Sequence, residues 1–183
     1  MFYINDNLKN KKFLIYGYGK SGHAACNYLK KNNKISVYDD NKKIKKFFIS
    51  LKKVKLKEFD HIVLSPGIDI NKCRLKNYLK KHRRKIITDL DIFYLNNPNN
   101  LKITITGTNG KSTTAKLLFK ILKNQNKDVK LVGNIGTPVL SKNIIKPSTI
   151  FVIEASSYQI DYSQYFKTDY AFILNISPDH LER

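Results

Sequence analysis

With 183 residues the chain can bury a real core and hold one large domain or two small ones. A formal net charge of +20 is the usual footprint of a nucleic-acid binder, but arginine occurs only at Arg74, Arg83, Arg84 and Arg183; the charge is nearly all lysine, dispersed among Asn, Ile and Tyr. Readers of bases and phosphates lean on arginine's fork, so a solvated surface is expected instead, with no specific nucleic-acid partner.

No apolar run approaches the roughly 20 residues of a membrane span, which points to a soluble cytoplasmic protein with no membrane partner. Along the chain, Lys12 to Tyr16 reads as a short strand that leads into Gly17-Tyr18-Gly19-Lys20-Ser21-Gly22. Ala24, Ala25, Tyr28 and Leu29 then recur at helical spacing. Ile35 to Tyr38 is a second strand ending in Asp39-Asp40, so this βαβ unit carries G-x-G-x-x-G with an acid about 20 positions on. Such a unit suits a phosphate-bearing ligand, and taken alone it also admits a nicotinamide dinucleotide. A lysine-rich helix is expected over 42–51, then a strand at His61 to Leu64, the turn Ser65-Pro66-Gly67, a helix near 71–81 and a strand at 85–88. Cys26 and Cys73 have no paired spacing and are expected to be reduced and inert.

Asn96-Asn97-Pro98-Asn99-Asn100 cannot extend either neighbour and marks a linker between domains at 1–95 and 96–183. The strand Leu101 to Ile105 then runs into Thr106-Gly107-Thr108-Asn109-Gly110-Lys111-Ser112-Thr113, followed by a helix over 114–123. A strand turning through glycines into a helix aims backbone N–H groups and the positive end of the helix dipole at one volume. Lys111 adds a full charge there, and the Ser112 hydroxyl can meet a magnesium ion. The general phosphate-loop pattern wants glycine at position 105, where this chain has Ile105.

A strand near 129–132 precedes Gly133-Asn134-Ile135-Gly136, whose Asn134 is placed to contact a phosphate or polar substrate group. The strand 149–153 delivers Glu154, a candidate magnesium carboxylate, followed by the neutral hydrogen-bonding groups of Ser156, Ser157 and Gln159. The strand 170–174 ends near Asp179-His180, where His180 could ligate a second metal or orient substrate. Strand and helix alternate throughout. The expected fold is therefore α/β: a Rossmann-like parallel-sheet domain, then an incomplete phosphate-loop α/β central domain.

Taken together, TGTNGKST at 106–113, GNIGTP at 133–138, EASSYQ at 154–159 and NISPDHLER at 175–183 resemble the Mur ligases, ATP-dependent amide-forming enzymes of peptidoglycan precursor synthesis. Isoleucine at 105 is that family's own variant of the loop. GYGKSG, SPGI at 65–68 and GNIG are most similar to the members that add D-glutamate. The resemblance implies ATP and Mg²⁺ as cofactors, and UDP-N-acetylmuramoyl-L-alanine and D-glutamate as substrates. It implies that Lys20, Ser21, Asp39 and Gly67 meet the UDP part. It places Gly107, Thr108, Asn109, Gly110, Lys111, Ser112 and Thr113 on ATP, Ser112, Glu154 and His180 on magnesium, and Asn134, Ser156 and Gln159 on the muramoyl-alanine end.

Asp40 and Asn41 depart from the threonine and basic residue common in the family. Family members also continue well past position 183, so this polypeptide is expected to be an incomplete ligase, inactive alone and a monomer when complete. The rival readings are another ligase of the superfamily, adding L-alanine or extending folate with glutamates, a nicotinamide-binding protein and a basic nucleic-acid-binding module.

Overall fold

Along β1 (Lys12–Tyr16), Phe13 and Ile15 face one side of a sheet and Leu14 and Tyr16 the other, and all four are fully buried. A strand covered on both faces belongs inside a parallel sheet. The computed structural model describes residues 6–41, 56–141 and 145–178, and the helix expected over 42–51 lies outside them. β2 (Lys34–Tyr38), β3 (His61–Leu64) and β4 (Ile86–Ile87) join β1 in the order β2-β1-β3-β4, every pair parallel. α1 (Lys20–Leu29) crosses from β1 to β2 with Ala25, Cys26 and Leu29 buried.

The helix expected near 71–81 is shorter, α2 (Lys76–Lys81). Asp69 holds the preceding residues in a turn: its carboxylate accepts the Asn71 N–H at 2.8 Å and its carbonyl those of Lys72 and Cys73.

β5 (Lys102–Thr106), β6 (Val129–Gly133), β7 (Ile150–Glu154) and β8 (Tyr170–Ile173) form a second parallel sheet in the order β6-β7-β5-β8. α4 (Lys111–Asn124) connects β5 to β6, and a short α5 (Ser157–Tyr162) follows β7. β8 lies at one edge of this sheet, and Tyr170, Phe172 and Ile173 on it are exposed.

Between the sheets lies α3 (Asp89–Asn96), which the sequence reading did not place. Its consecutive residues Asp89, Leu90, Asp91, Ile92 and Phe93 are all buried. One apolar cluster runs from Phe13 and Ile15 of the first sheet through Leu90 and Phe93 to Phe151 and Ile153 of the second. Phe93 meets Phe151 edge-on at 4.7 Å, a pairing that adds roughly 0.5–1.5 kcal/mol to the burial itself. Asp91 fixes α3 to the chain after α5: its Oδ1 accepts the N–H groups of Gln164, Tyr165 and Phe166 at 2.9, 2.7 and 2.9 Å. Its other oxygen accepts the Thr88 N–H at 2.8 Å in a reciprocal N-terminal cap. These donors replace the water the carboxylate loses on burial.

Candidate functional site

At the end of β5 the chain turns through Gly107 and Gly110, at φ +138° and +80°, before α4 begins. Ile105 is fully buried against the cluster of Ala115, Val129 and Val152, so it serves as a core strand residue and Gly107 makes the turn instead. Helix geometry leaves the opening amides of Lys111, Ser112 and Thr113 without intrahelical acceptors, and the dipole of a 14-residue helix adds positive potential there. The Lys111 ammonium donates to the carbonyls of Gly107 and Thr108 at 2.5 and 2.7 Å, which holds its charge over the loop.

The loop is braced by a residue the sequence reading passed over. Asn175, just beyond β8, accepts the Thr108 N–H on its carbonyl at 3.1 Å and the Asn109 N–H on its side chain at 2.8 Å. Its amide also donates to the Asn109 carbonyl at 3.1 Å. An asparagine immediately after the strand that neighbours the loop is the signal that could have found it, because only a carboxamide can accept and donate at once in this way.

Glu154 ends β7 beside Ile105 of β5, is buried, and accepts the Ser112 hydroxyl at 2.8 Å. Gly133 crosses close above: a Cβ there would lie 2.2 Å from the Glu154 carbonyl oxygen, which instead accepts the Asn134 N–H at 3.0 Å. Asn134 itself is exposed. A hydroxyl and a carboxylate are hard oxygen donors, and they fit a magnesium ion that completes its shell with phosphate and water oxygens. Among the described residues no group of three or more His, Cys, Asp and Glu converges, and His180 lies outside those residues.

A cleft of about 540 Å³ opens here, lined among others by Gly107, Lys111, Ser156, Tyr158, Asn175 and Ile176. Ser156 stands at its wall as the N-cap of α5. Gln159, expected to face substrate, is placed differently. It is 1% exposed, its oxygen accepts the Ser156 N–H at 3.1 Å, and its amide donates to Asp89 at 3.1 Å. Its side chain is spent inside the protein.

The first glycine loop is equally close-packed. Gly17 has φ +91°, and a Cβ on Gly22 would fall 2.0 Å from the Gly17 carbonyl oxygen, so glycine is required where α1 starts against the loop. Ser65 donates its hydroxyl to that same carbonyl at 2.8 Å. Gly19 and Gly67 face open space, and Lys20 is exposed at the start of α1. Asp39 accepts the N–H groups of Tyr18 at 2.6 Å and Asn41 at 2.9 Å, tying the end of β2 across the loop.

Asp40 takes the hydroxyls of Tyr16 and Tyr38 at 2.7 and 2.9 Å, with the Arg74 guanidinium 3.9 Å away. Burial first, then Asp40, pushes the Tyr16 phenol far above its usual range. Burial raises the Asp89 carboxyl, against the opposing pull of the Gln159 amide and the Ser21 hydroxyl.

Two parallel sheets, each with a glycine loop at the carboxyl end of its leading strand, and a lysine and a buried carboxylate at the second, define an α/β protein with two candidate phosphate-binding loops. Residues 105–183 match the Mur ligase middle domain. The chain is 40% identical over 184 residues to a UDP-N-acetylmuramoylalanine--D-glutamate ligase of Francisella tularensis subsp. novicida, which covers all of this chain and 42% of that protein. The subsp. tularensis counterpart is 39% identical with the same coverage.

Among solved structures, a UDP-N-acetylmuramate:L-alanyl-gamma-D-glutamyl-meso-diaminopimelate ligase from Neisseria meningitides superposes with a TM-score of 0.54 at 17% identity, covering 93% of this chain and 62% of that one. A UDP-N-acetylmuramate-alanine ligase from Thermotoga maritima gives 0.54 at 19% identity, over 94% and 43%. These two share the fold. The chain is similar to Mur ligases over its whole length, and it spans less than half the length of the curated relatives it matches.

Proposed function

We propose that this chain carries the UDP-substrate unit, residues 1–95, and the first part of the ATP unit, residues 96–183, of a cytoplasmic ligase that joins D-glutamate to UDP-N-acetylmuramoyl-L-alanine. The observation that carries the reading is the Ser112 to Glu154 contact of 2.8 Å beside Lys111, at the carboxyl end of a parallel sheet. The D-glutamate assignment is supported by the whole-chain likeness to D-glutamate ligases.

In this reading Lys111 and the opening amides of α4 hold the β- and γ-phosphates of ATP. Ser112 and Glu154 would hold magnesium, which supplies charge neutralisation on those phosphates. The alanine carboxylate of the UDP substrate attacks the γ-phosphorus, the bond to ADP breaks, and an acyl phosphate forms. The amine of D-glutamate then attacks the acyl carbon, losing a proton as phosphate departs and the amide is made. No protein nucleophile is needed, since phosphoryl transfer relies on alignment and charge. His180 would add a second metal ligand. In the first unit, the open space at Gly19 and Gly67 leaves room for the diphosphate against the loop. Asp39, which ties the end of β2 across the loop, would meet the uracil edge.

Calorimetric titration with a magnesium-bound, non-hydrolysable ATP analogue tests this. The chain binds it, and Lys111→Ala weakens binding by about 100-fold or more. Equal affinity in the variant would overturn the assignment of the loop. Residues 1–183 by themselves are expected to give no ADP release with UDP-N-acetylmuramoyl-L-alanine, D-glutamate and ATP, and turnover above the Lys111→Ala background would refute that.

A further inference from the structure

Two acids follow β2, and the second, Asp40, has no part in the reading above. A nucleotide whose phosphates sit at the first glycine loop lays its ribose toward the end of the second strand, with the base beyond. Carboxylates alone would suit cytosine there, because its exocyclic amine donates to them, whereas uracil presents a carbonyl oxygen at the same ring position. A preference for uracil calls for a fixed donor at the end of β2.

The hydrogen bonds around Asp40 hold such a donor in place. Its two oxygens accept the hydroxyls of Tyr16 and Tyr38 at 2.7 and 2.9 Å, while Asp39 accepts the N–H groups of Tyr18 and Asn41. Burial raises both phenols, which keeps them protonated and donating. Both acids thus meet donors from the protein itself. Against Asp40 stands Arg74, with its Nε 3.9 Å from Oδ1 and its side chain 67% exposed. An ion pair made through Nε leaves the two terminal nitrogens of the guanidinium farther out, with their N–H groups. The backbone that carries Arg74 is anchored on both sides. Cys73 and Leu75 are buried in the same apolar cluster as Tyr16 and Tyr38, and the Asp69 carbonyl accepts the Cys73 N–H at 2.9 Å.

We propose that Arg74, held by Asp40, is a specificity-determining residue of the first unit, whose guanidinium donates to the 4-carbonyl oxygen of uracil and disfavours the amine that cytosine carries there. This rests on the reading in which the UDP end of the substrate sits at the first loop. Asp40 is a positioning residue that acts through Arg74: its carboxylate balances the guanidinium charge and fixes the direction from which the planar fork approaches.

Calorimetric titration of the wild-type chain, Arg74→Ala, Arg74→Lys and Asp40→Asn with two probes, UDP and CDP, tests this. The wild type binds UDP about tenfold more tightly than CDP. Arg74→Ala loses about tenfold for UDP and less than about twofold for CDP, so the preference disappears. Arg74→Lys keeps the charge without the planar fork and restores only part of the preference. Asp40→Asn, which no longer balances the guanidinium charge, falls between the wild type and Arg74→Ala.

Equal losses for the two nucleotides would mean that Arg74 meets only the ribose diphosphate they share or maintains the local fold, and that result overturns the proposal. An unchanged preference in a folded Arg74→Ala overturns it too, as does a wild type that binds UDP and CDP alike. If Arg74→Ala does not fold, Arg74→Lys decides the question by the same ratio of affinities. A wild type that binds neither nucleotide would instead overturn the underlying reading of the first loop, and this proposal with it.

Discussion

The two glycine loops occupy equivalent places and are braced by different means. Each follows the leading strand of a parallel unit and is braced from the strand beside it: Ser65 after β3 holds the first, Asn175 after β8 the second. Ser65 supplies one neutral hydrogen bond to a loop carbonyl. In the second loop the carbonyls of Gly107 and Thr108 are taken by an ammonium group, while the side chain and carbonyl of Asn175 hold the N–H groups of Asn109 and Thr108. The first loop is therefore set by close packing, with the Asp39 carboxylate on the Tyr18 N–H, and the second by hydrogen bonds to an ammonium and a carboxamide. One fold yields two kinds of glycine loop, according to whether the loop carbonyls meet a hydroxyl or a cation.

If packing governs the first loop, a methyl group should disable it. Gly22→Ala places a Cβ 2.0 Å from the Gly17 carbonyl oxygen. It should lower stability by roughly 1–3 kcal/mol in thermal unfolding. Gly19→Ala, facing open space, should change it by less than about 0.5 kcal/mol. If hydrogen bonding governs the second loop, Asn175→Ala should weaken binding of the ATP analogue by about tenfold, or 1.4 kcal/mol, at little cost in stability because the site is exposed. Ser65→Ala should leave ATP-analogue affinity unchanged.

The smallest effect concerns His61, stacked on Phe13 at 5.4 Å with its Nδ1 lacking a hydrogen-bond partner among the described residues. Burial pushes its pKa below the ordinary 6.5, against the opposing charge of Asp60 and with help from Lys11 and Lys85. A depressed value means the unfolded chain takes up the proton first. The stability this group contributes is present above pH 6.5 and is lost as pH falls through the folded value. Urea midpoints from pH 7.5 to 5 should show that decline, and His61→Leu should flatten it.

The strands were readable because β1, β3 and β7 are short, mostly apolar runs and β5 alternates isoleucine with threonine before a glycine turn. α3 was not, because a helix buried on all sides carries no polar face and so no helical period. Its start was nevertheless written in Thr88-Asp89-Leu90-Asp91, and that of α5 in Ser156-Ser157-Tyr158-Gln159, both reciprocal caps in the structure. Reading the second as a cap would also have shown why Gln159 turns inward. The phosphate loop and Glu154 were legible as local patterns. Asn175 and Asp89 act across 66 and 70 residues of sequence, a separation that local patterns do not report.

The placement of α3 bears on how the chain acquires its structure. Its apolar side chains pack on both sheets, and Asp91 finds three of its donors only at residues 164–166, far along the chain. During refolding α3 has no complete environment until the second sheet has formed, so the last steps of both units should coincide. Division of the polypeptide in the Asn-rich stretch after α3 would leave that helix with a bare apolar flank and an uncompensated carboxylate. The two sheets should therefore melt in one transition.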